Sequence, residues 1–297
     1  MNLLKAWGLK WDNYGMPLMP AAVRLTQWWL GFSGVKDSRR ATRQGDIHFY
    51  DGSGGGPLPP VVLLHGLSAN AAAFGPLIKR LLDHHRRVVA PDHLGHGLSG
   101  PPKGPAAIET LYEGLRDFLD AEIKEPMILV GNSLGGGLAL RYALDRPQQL
   151  KGLVLISPGG AKMTGEDLAH FKGTFPSRSA DQALEFMRRL YHRIPWYTSF
   201  VADDIHKSFA GAFIQNVLDS LTAAHYIKEE ELASLAMPVM LIWGRHDRVM
   251  PAAHLDYFKK YLGPKTKIVE PDHVGHCPHL EDAGGICRLI TDFSRQL

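Results

Sequence analysis

The chain has 297 residues, 45% of them hydrophobic, with 33 basic against 30 acidic side chains. That length buries a sizeable core and suits one α/β domain of roughly 250 residues with an insertion. Basic residues are scattered apart from pairs such as Arg39-Arg40, Arg86-Arg87 and Arg188-Arg189, which points away from nucleic acid; Cys277 and Cys287 are too few for a disulfide framework.

No run approaches the roughly 20 apolar residues of a membrane span. The N-terminus carries Lys5 and Lys10 without a signal-type apolar core or a small-residue cleavage site, so the expected location is cytoplasmic. Residues 1–45 are expected to form an N-terminal helical arm. Leu4, Trp7 and Trp11 share one helical face, as do Leu25, Trp28, Trp29 and Phe32. Such a face either docks against the body or, left exposed, contacts a lipid surface peripherally.

From residue 46 strands and helices alternate. Residues 46–50 read as a strand ending in the turn Asp51-Gly52-Ser53-Gly54-Gly55-Gly56. Short apolar runs at 61–64, 87–90, 127–130, 153–156 and 239–243 carry the pattern of strands buried on both faces, with a weaker one at 267–270. Helical spacing falls between them at 74–82, 108–123, 134–144 and 254–262, and from 279 to about 293. This alternation implies a mostly parallel sheet covered by helices on both faces, with ligands at the carboxyl ends of the strands.

The alternation breaks over 161–235, which is expected to be a helical cap inserted into a core of 46–160 and 236–297. The cap holds ten of the 27 aromatic side chains. They serve the cap's own core, an apolar substrate pocket, or both. Phe175, Trp196 and Phe213 are the expected substrate contacts.

Gly131-Asn132-Ser133-Leu134-Gly135-Gly136 lies between a strand and a helix. A serine flanked by glycines two residues away on each side marks a sharp strand-to-helix reversal that lifts its hydroxyl clear of the sheet. A serine nucleophile needs a base, and the base needs orienting. The loop after the last strand offers His273, His276 and His279. Asp247 follows the strand at 239–243, whereas Ser157-Pro158-Gly159-Gly160 after the preceding strand holds no carboxylate. Backbone N–H groups of Leu67, in the turn His65-Gly66-Leu67, and of Leu134 are positioned to hold an oxyanion.

These landmarks resemble the α/β-hydrolase superfamily, in family order, from about residue 46 to the C-terminus apart from the insertion. They are the His65-Gly66 turn, the Pro91–Ser99 loop, the serine turn, Gly244-Arg245-His246-Asp247, and Gly275-His276-Cys277-Pro278-His279-Leu280-Glu281. The resemblance places a triad on Ser133, Asp247 and His276. Epoxide hydrolases and haloalkane dehalogenases carry aspartate where this chain has Ser133. Hydrolases of ring-cleavage products share a Gly-Asn-Ser turn, but usually have a longer glycine-rich oxyanion turn and a tryptophan where this chain has Cys277.

The expectation is therefore an esterase or monoacylglycerol-lipase-like hydrolase of small ester substrates, needing no cofactor. The alternatives are carbon–carbon bond cleavage of ring-cleavage diketones with the same triad, and a non-catalytic ligand-binding member of the fold. Pro278 interrupts His273, His276 and His279, and no cysteine pair completes a metal set, so no metal site is expected. Asp92, His93 and His96 are read as loop support, Cys277 as a small packing residue, and Glu281 as a support for the last helix and its preceding loop.

Overall fold

The structure is a computed structural model that describes residues 18–297; the expectations for Leu4, Trp7 and Trp11 lie outside the described residues. Helix α1 (Leu18–Gly31) leads into β1 (Lys36–Ala41), β2 (Asp46–Ser53) and β3 (Val61–Leu64). Then follow α2 (Gly75–Leu81), β4 (Arg87–Pro91), α3 (Ile108–Glu122), β5 (Met127–Asn132), α4 (Leu134–Asp145) and β6 (Leu150–Ile156). Helices α5 (Gly165–Gly173), α6 (Ala180–Leu190), α7 (Thr198–Ala210), α8 (Ala212–Ser220) and α9 (Glu229–Ala233) precede β7 (Val239–Ile242). The chain ends with α10 (Ala252–Tyr261), β8 (Lys267–Val269), α11 (Pro278–Glu281) and α12 (Ala283–Ser294).

Among the described residues, eight strands form one sheet in the order β1-β2-β4-β3-β5-β6-β7-β8. Only β1 and β2 run antiparallel to their neighbours. Alternate side chains of each strand enter opposite cores. Val62, Leu64 and Leu129 pack with α3 and α4, whereas Val61, Leu63, Ile128 and Val130 pack with α2 and α12. Leu111, Leu115, Phe118 and Leu119 recur at helical spacing and give α3 its buried face. Covering both faces with apolar residues is what lets the central strands read as uninterrupted apolar runs.

Three local expectations change. Asp51, Gly52 and Ser53 are not a turn; they pair with Val89, Val88 and Arg87 and lengthen β2. The arm is not wholly helical, because residues 36–41 form the edge strand β1. Its Lys-Asp-Ser-Arg-Arg-Ala sequence is highly charged, which suits an open edge and hides it from an apolar pattern search. The last helix breaks at Asp282, whose side chain caps α12 by accepting from Gly285 N (2.7 Å).

Helix α1 docks through Leu30, with Val23 and Trp29 packed on the same core. Leu25, Trp28 and Phe32 of the expected apolar face point into solvent instead. Trp28 and Phe32 meet edge-to-face with ring centroids 4.4 Å apart. Among the described residues no helix is long and apolar enough to cross a membrane.

Candidate active site

Ser133 joins β5 to α4 with φ +54° and ψ −117°, a backbone state that a residue with a side chain holds only under constraint. The constraint is a set of three backbone bonds. Ser133 N donates to Ile156 O (3.0 Å), while Gly159 N and Gly137 N donate to Ser133 O (2.9 and 3.1 Å). A Cβ at Gly131 would overlap the Gly135 carbonyl, and one at Gly135 would overlap the Leu64 carbonyl. The flanking glycines are therefore demanded by close approach of backbone to backbone.

Asp247 leaves the loop after β7 and accepts from Val249 N (2.9 Å) and Met250 N (3.1 Å) through Oδ1. Its Oδ2 lies 2.8 Å from His276 Nδ1, with both side chains buried. Burial pushes this carboxyl up. The His276 charge and hydrogen bond, the nearby buried Ser157 hydroxyl and the Met250 N–H outweigh that and hold it below the ordinary carboxylate range. An ionised Asp247 fixes His276 with its proton on Nδ1 and leaves Nε2 free to act as a base.

The His276 loop is tied to its surroundings from three directions. Asn132, next to Ser133, donates through Nδ2 to His276 O (3.0 Å) and Ile156 O (3.2 Å). His276 N donates to Leu190 O at the end of α6 (2.8 Å). Glu281 accepts from Gly275 N (2.6 Å) and also from His192 N and Arg193 N after α6 (2.9 and 3.2 Å). Glu281 thus supports the loop as expected and also binds it to the helical insertion. Cys277 packs its sulfur toward Asn132, and burial raises its thiol well above the usual range, which leaves it unreactive.

The His65-Gly66-Leu67 turn lies directly over the serine, with an ideal Gly66 Cβ 3.3 Å from Ser133 Cβ. Leu67 and Leu134 both line the pocket beside Ser133. Leu134 opens α4, where the first N–H groups lack intrahelical partners. Behind the turn, Asp92 accepts from Ala71 N (2.6 Å), Leu98 N (2.8 Å) and His48 Nδ1 (2.8 Å). His93 N donates to His65 Nε2 (3.0 Å). Asp92 and His93 are the loop supports that the sequence suggests.

The pocket is a cavity of about 740 Å³ running from Ser133 beneath the insertion. One face of α4 forms its floor through Leu134, Gly137, Leu138 and Arg141. At 1.5 Å per residue, Arg141 stands about 12 Å along the helix from Ser133. The roof is apolar, with Met163, Leu168, Phe171, Phe175, Val217 and Leu218. The far end is polar, where Arg141 pairs with Glu231 (3.2 Å) and His225 with Glu109 (2.6 Å).

Of the three expected substrate contacts, only Phe175 lines this cavity. Trp196 stands almost wholly in solvent before α7. Phe213 turns away to meet His96 edge-to-face (5.6 Å) and lies against Gly95. Phe171, Phe175, Phe186 and Phe209 also stack on one another with centroids 5.1–5.6 Å apart, so the insertion uses its aromatics for its own core as well. Sequence reasoning missed Asn132, which had a signal in the Gly-Asn-Ser turn, and the cavity-lining His254, which had none.

The model of the alpha/beta hydrolase fold family matches residues 59–283, and the chain belongs to that family. Among curated relatives, a 2-hydroxy-6-oxo-2,4-heptadienoate hydrolase of Pseudomonas putida is 27% identical over 253 residues, 79% of this chain and 88% of the relative. Lipase 1 of Psychrobacter immobilis is 24% identical over 247 residues, covering 80% of this chain and 77% of the relative. Among solved structures, a bacterial membrane phospholipase A superposes with a TM-score of 0.80 at 22% identity, covering 94% of this chain and 92% of that one. The relatives of this chain in that family thus include both a dienoate hydrolase and a lipase.

Proposed function

We propose that the protein is a carboxylic ester hydrolase of esterase or lipase type. The observation that carries this reading is the buried Asp247–His276 pair, 2.8 Å apart, on a loop bonded by Asn132, the neighbour of a constrained serine that opens into an apolar cavity. Ser133 Oγ attacks the acyl carbonyl as His276 Nε2 takes its proton. The Leu67 and Leu134 N–H groups hold the oxyanion. The imidazolium, stabilised by Asp247, returns the proton to the departing alcohol. Water then enters, loses a proton to His276 and releases the acid from Ser133.

A panel of p-nitrophenyl esters of increasing acyl length, assayed beside one vinylogous diketone ring-cleavage product, tests the substrate class. Each methylene buried against the apolar roof contributes about 0.8 kcal/mol, nearly fourfold in kcat/KM. Preference is expected to climb from acetyl over several carbons. Phe171→Ala or Phe175→Ala should move the optimum, whereas Trp196→Ala and Phe213→Ala, outside the cavity, should leave it in place. Faster turnover of the diketone than of any ester would replace this reading with carbon–carbon hydrolysis.

A second property has its own observation. Trp28 (63% exposed), Phe32 (73%), Trp196 (84%) and Phe200 (65%) stand in solvent on α1 and the insertion. Met19 N bonds Asp204 of α7 (2.9 Å), joining the two elements. Exposed tryptophan and phenylalanine on such helices partition into a lipid–water interface. Mixed phosphatidylcholine–phosphatidylglycerol vesicles are expected to co-sediment the protein. Serine at Trp28, Phe32, Trp196 and Phe200 together should cut that binding by about tenfold or more. Equal sedimentation of both proteins would remove the lipid-surface reading.

A further inference from the structure

His254 is the third residue of α10, reached directly after the loop that carries Asp247. Its ring lines the cavity with Met250, Leu168 and Phe171, the Phe171 centroid lying 6.4 Å away. The residue is 1% exposed, and neither Nδ1 nor Nε2 has a hydrogen-bond partner. Three other buried histidines differ. His85, His93 and His96 each engage one ring nitrogen, with Pro59 O, His65 O and Leu94 O respectively. A buried imidazole with both nitrogens idle is costly, and native structures meet such groups with a bound molecule or ordered water.

The geometry states what can meet it. Met250, Leu168 and Phe171 line the cavity beside the ring, and the carboxylates of Asp247 and Asp167 act on it through their charge without a hydrogen bond, which leaves its nitrogens to address the cavity. A neutral imidazole offers one N–H donor and one acceptor nitrogen. A hydroxyl satisfies either nitrogen, and a keto oxygen satisfies the donor, whereas an alkyl chain satisfies neither.

We infer that His254 is a specificity-determining residue, selecting esters that carry a hydroxyl or keto oxygen on the portion lying under α5, in preference to plain alkyl esters of the same length. This rests on the ester-hydrolase reading and deepens it. Sites that hydrogen-bond a substrate oxygen reject the analogue lacking it far more strongly than apolar pockets discriminate by size. The far end of the cavity, with Arg141 and Glu109, is a separate polar region whose groups already have partners.

The test uses two ester sets on the full-length protein. One set varies the acid, plain or bearing a hydroxyl or keto oxygen at successive carbons, with a constant p-nitrophenyl leaving group. The other holds the acid constant and moves the oxygen along the alcohol. At one position the oxygenated ester is expected to exceed its plain counterpart in kcat/KM by about tenfold or more. His254→Leu should erase that ratio, and His254→Gln, which keeps a donor and an acceptor, should restore part of it.

An oxygenated-to-plain ratio identical in the native protein and His254→Leu, at every position of both sets, would overturn the inference. Should His254→Leu fail to fold, calorimetry of the matching hydroxy or keto acid or alcohol, and of its plain analogue, on the Ser133→Ala protein decides the matter. Tighter binding of the oxygenated product supports the role of His254, and equal affinity overturns it. Absence of turnover of every ester, with Ser133 unlabelled by an organophosphonate, would remove the ester reading and this inference with it. Turnover with an unchanged ratio removes the inference alone.

Discussion

Ser133→Ala is expected to lower ester hydrolysis by at least about 10⁴-fold while the protein unfolds at its native temperature. The substitution removes the nucleophile but leaves every backbone bond that holds the turn, from Ile156, Gly137 and Gly159. An organophosphonate should label Ser133 and no other serine. His276→Ala should cost a comparable factor, and adding it to Ser133→Ala should cost little more, because members of such a group act as a unit.

The neighbouring histidines provide the control. His273 is exposed and pairs with Asp282 at 3.0 Å, so its replacement should leave the rate within a few-fold. His279 is buried with its ring 4.5 Å from Phe74, and its replacement should act on stability before it acts on rate. An active Ser133→Ala protein, or a folded His273→Ala protein as impaired as His276→Ala, would mean that the wrong side chains have been placed in the triad.

The parts of this molecule legible in its sequence are those that local chemistry decides. Val61–Leu64 and Met127–Asn132 announce themselves because a strand covered on both faces must be apolar throughout. The serine turn is legible because Gly131 and Gly135 have no substitute. The edge strand β1 was hidden by the charges that keep its open side from pairing. The destinations of Trp196 and Phe213 depend on how the helical insertion sits on the sheet, and their spacing says nothing of that. The same holds for the second half of the Glu281 role, its bonds to the chain after α6 beyond the loop it was expected to support, and for His254, which looks like any polar residue near a helix start. Roles made by contact between distant segments leave little trace in either segment alone.

Acid is expected to unfold the protein cooperatively between about pH 6 and pH 4.5, and the reason lies in its buried imidazoles. Burial pushes His93 and His279 down to about 3 and His254 to about 4, and lowers His65 well below its usual value, with His93 and His96 adding to the effect on His65. In the unfolded chain each returns to about 6.5. Below that value the unfolded state binds protons that the folded state refuses, so stability falls as pH falls and continues to fall until the folded value is reached. Above about pH 7 both states are neutral and these groups contribute no slope. Each unit of difference is worth about 1.4 kcal/mol, so by pH 5 His93, His279 and His254 each cost roughly 2 kcal/mol and together roughly 6, and His65 acts in the same direction. That is comparable to the whole stability of a typical domain, about 5–15 kcal/mol. The depressed carboxyls of Asp247 and Asp282 act in the same direction but only below about pH 4, so they do not set the midpoint. Urea melts at half-unit steps from pH 8 to pH 5 measure the slope directly. A plateau above pH 7 followed by a loss matching the uptake of at least about three protons is the expected result. His279→Leu should remove about one proton from that slope. A stability unchanged from pH 8 to pH 5 would show that these rings are not held neutral. In that case the His65–His93 contact, in which His65 Nε2 must accept the His93 N–H, cannot be what supports the His65-Gly66-Leu67 turn.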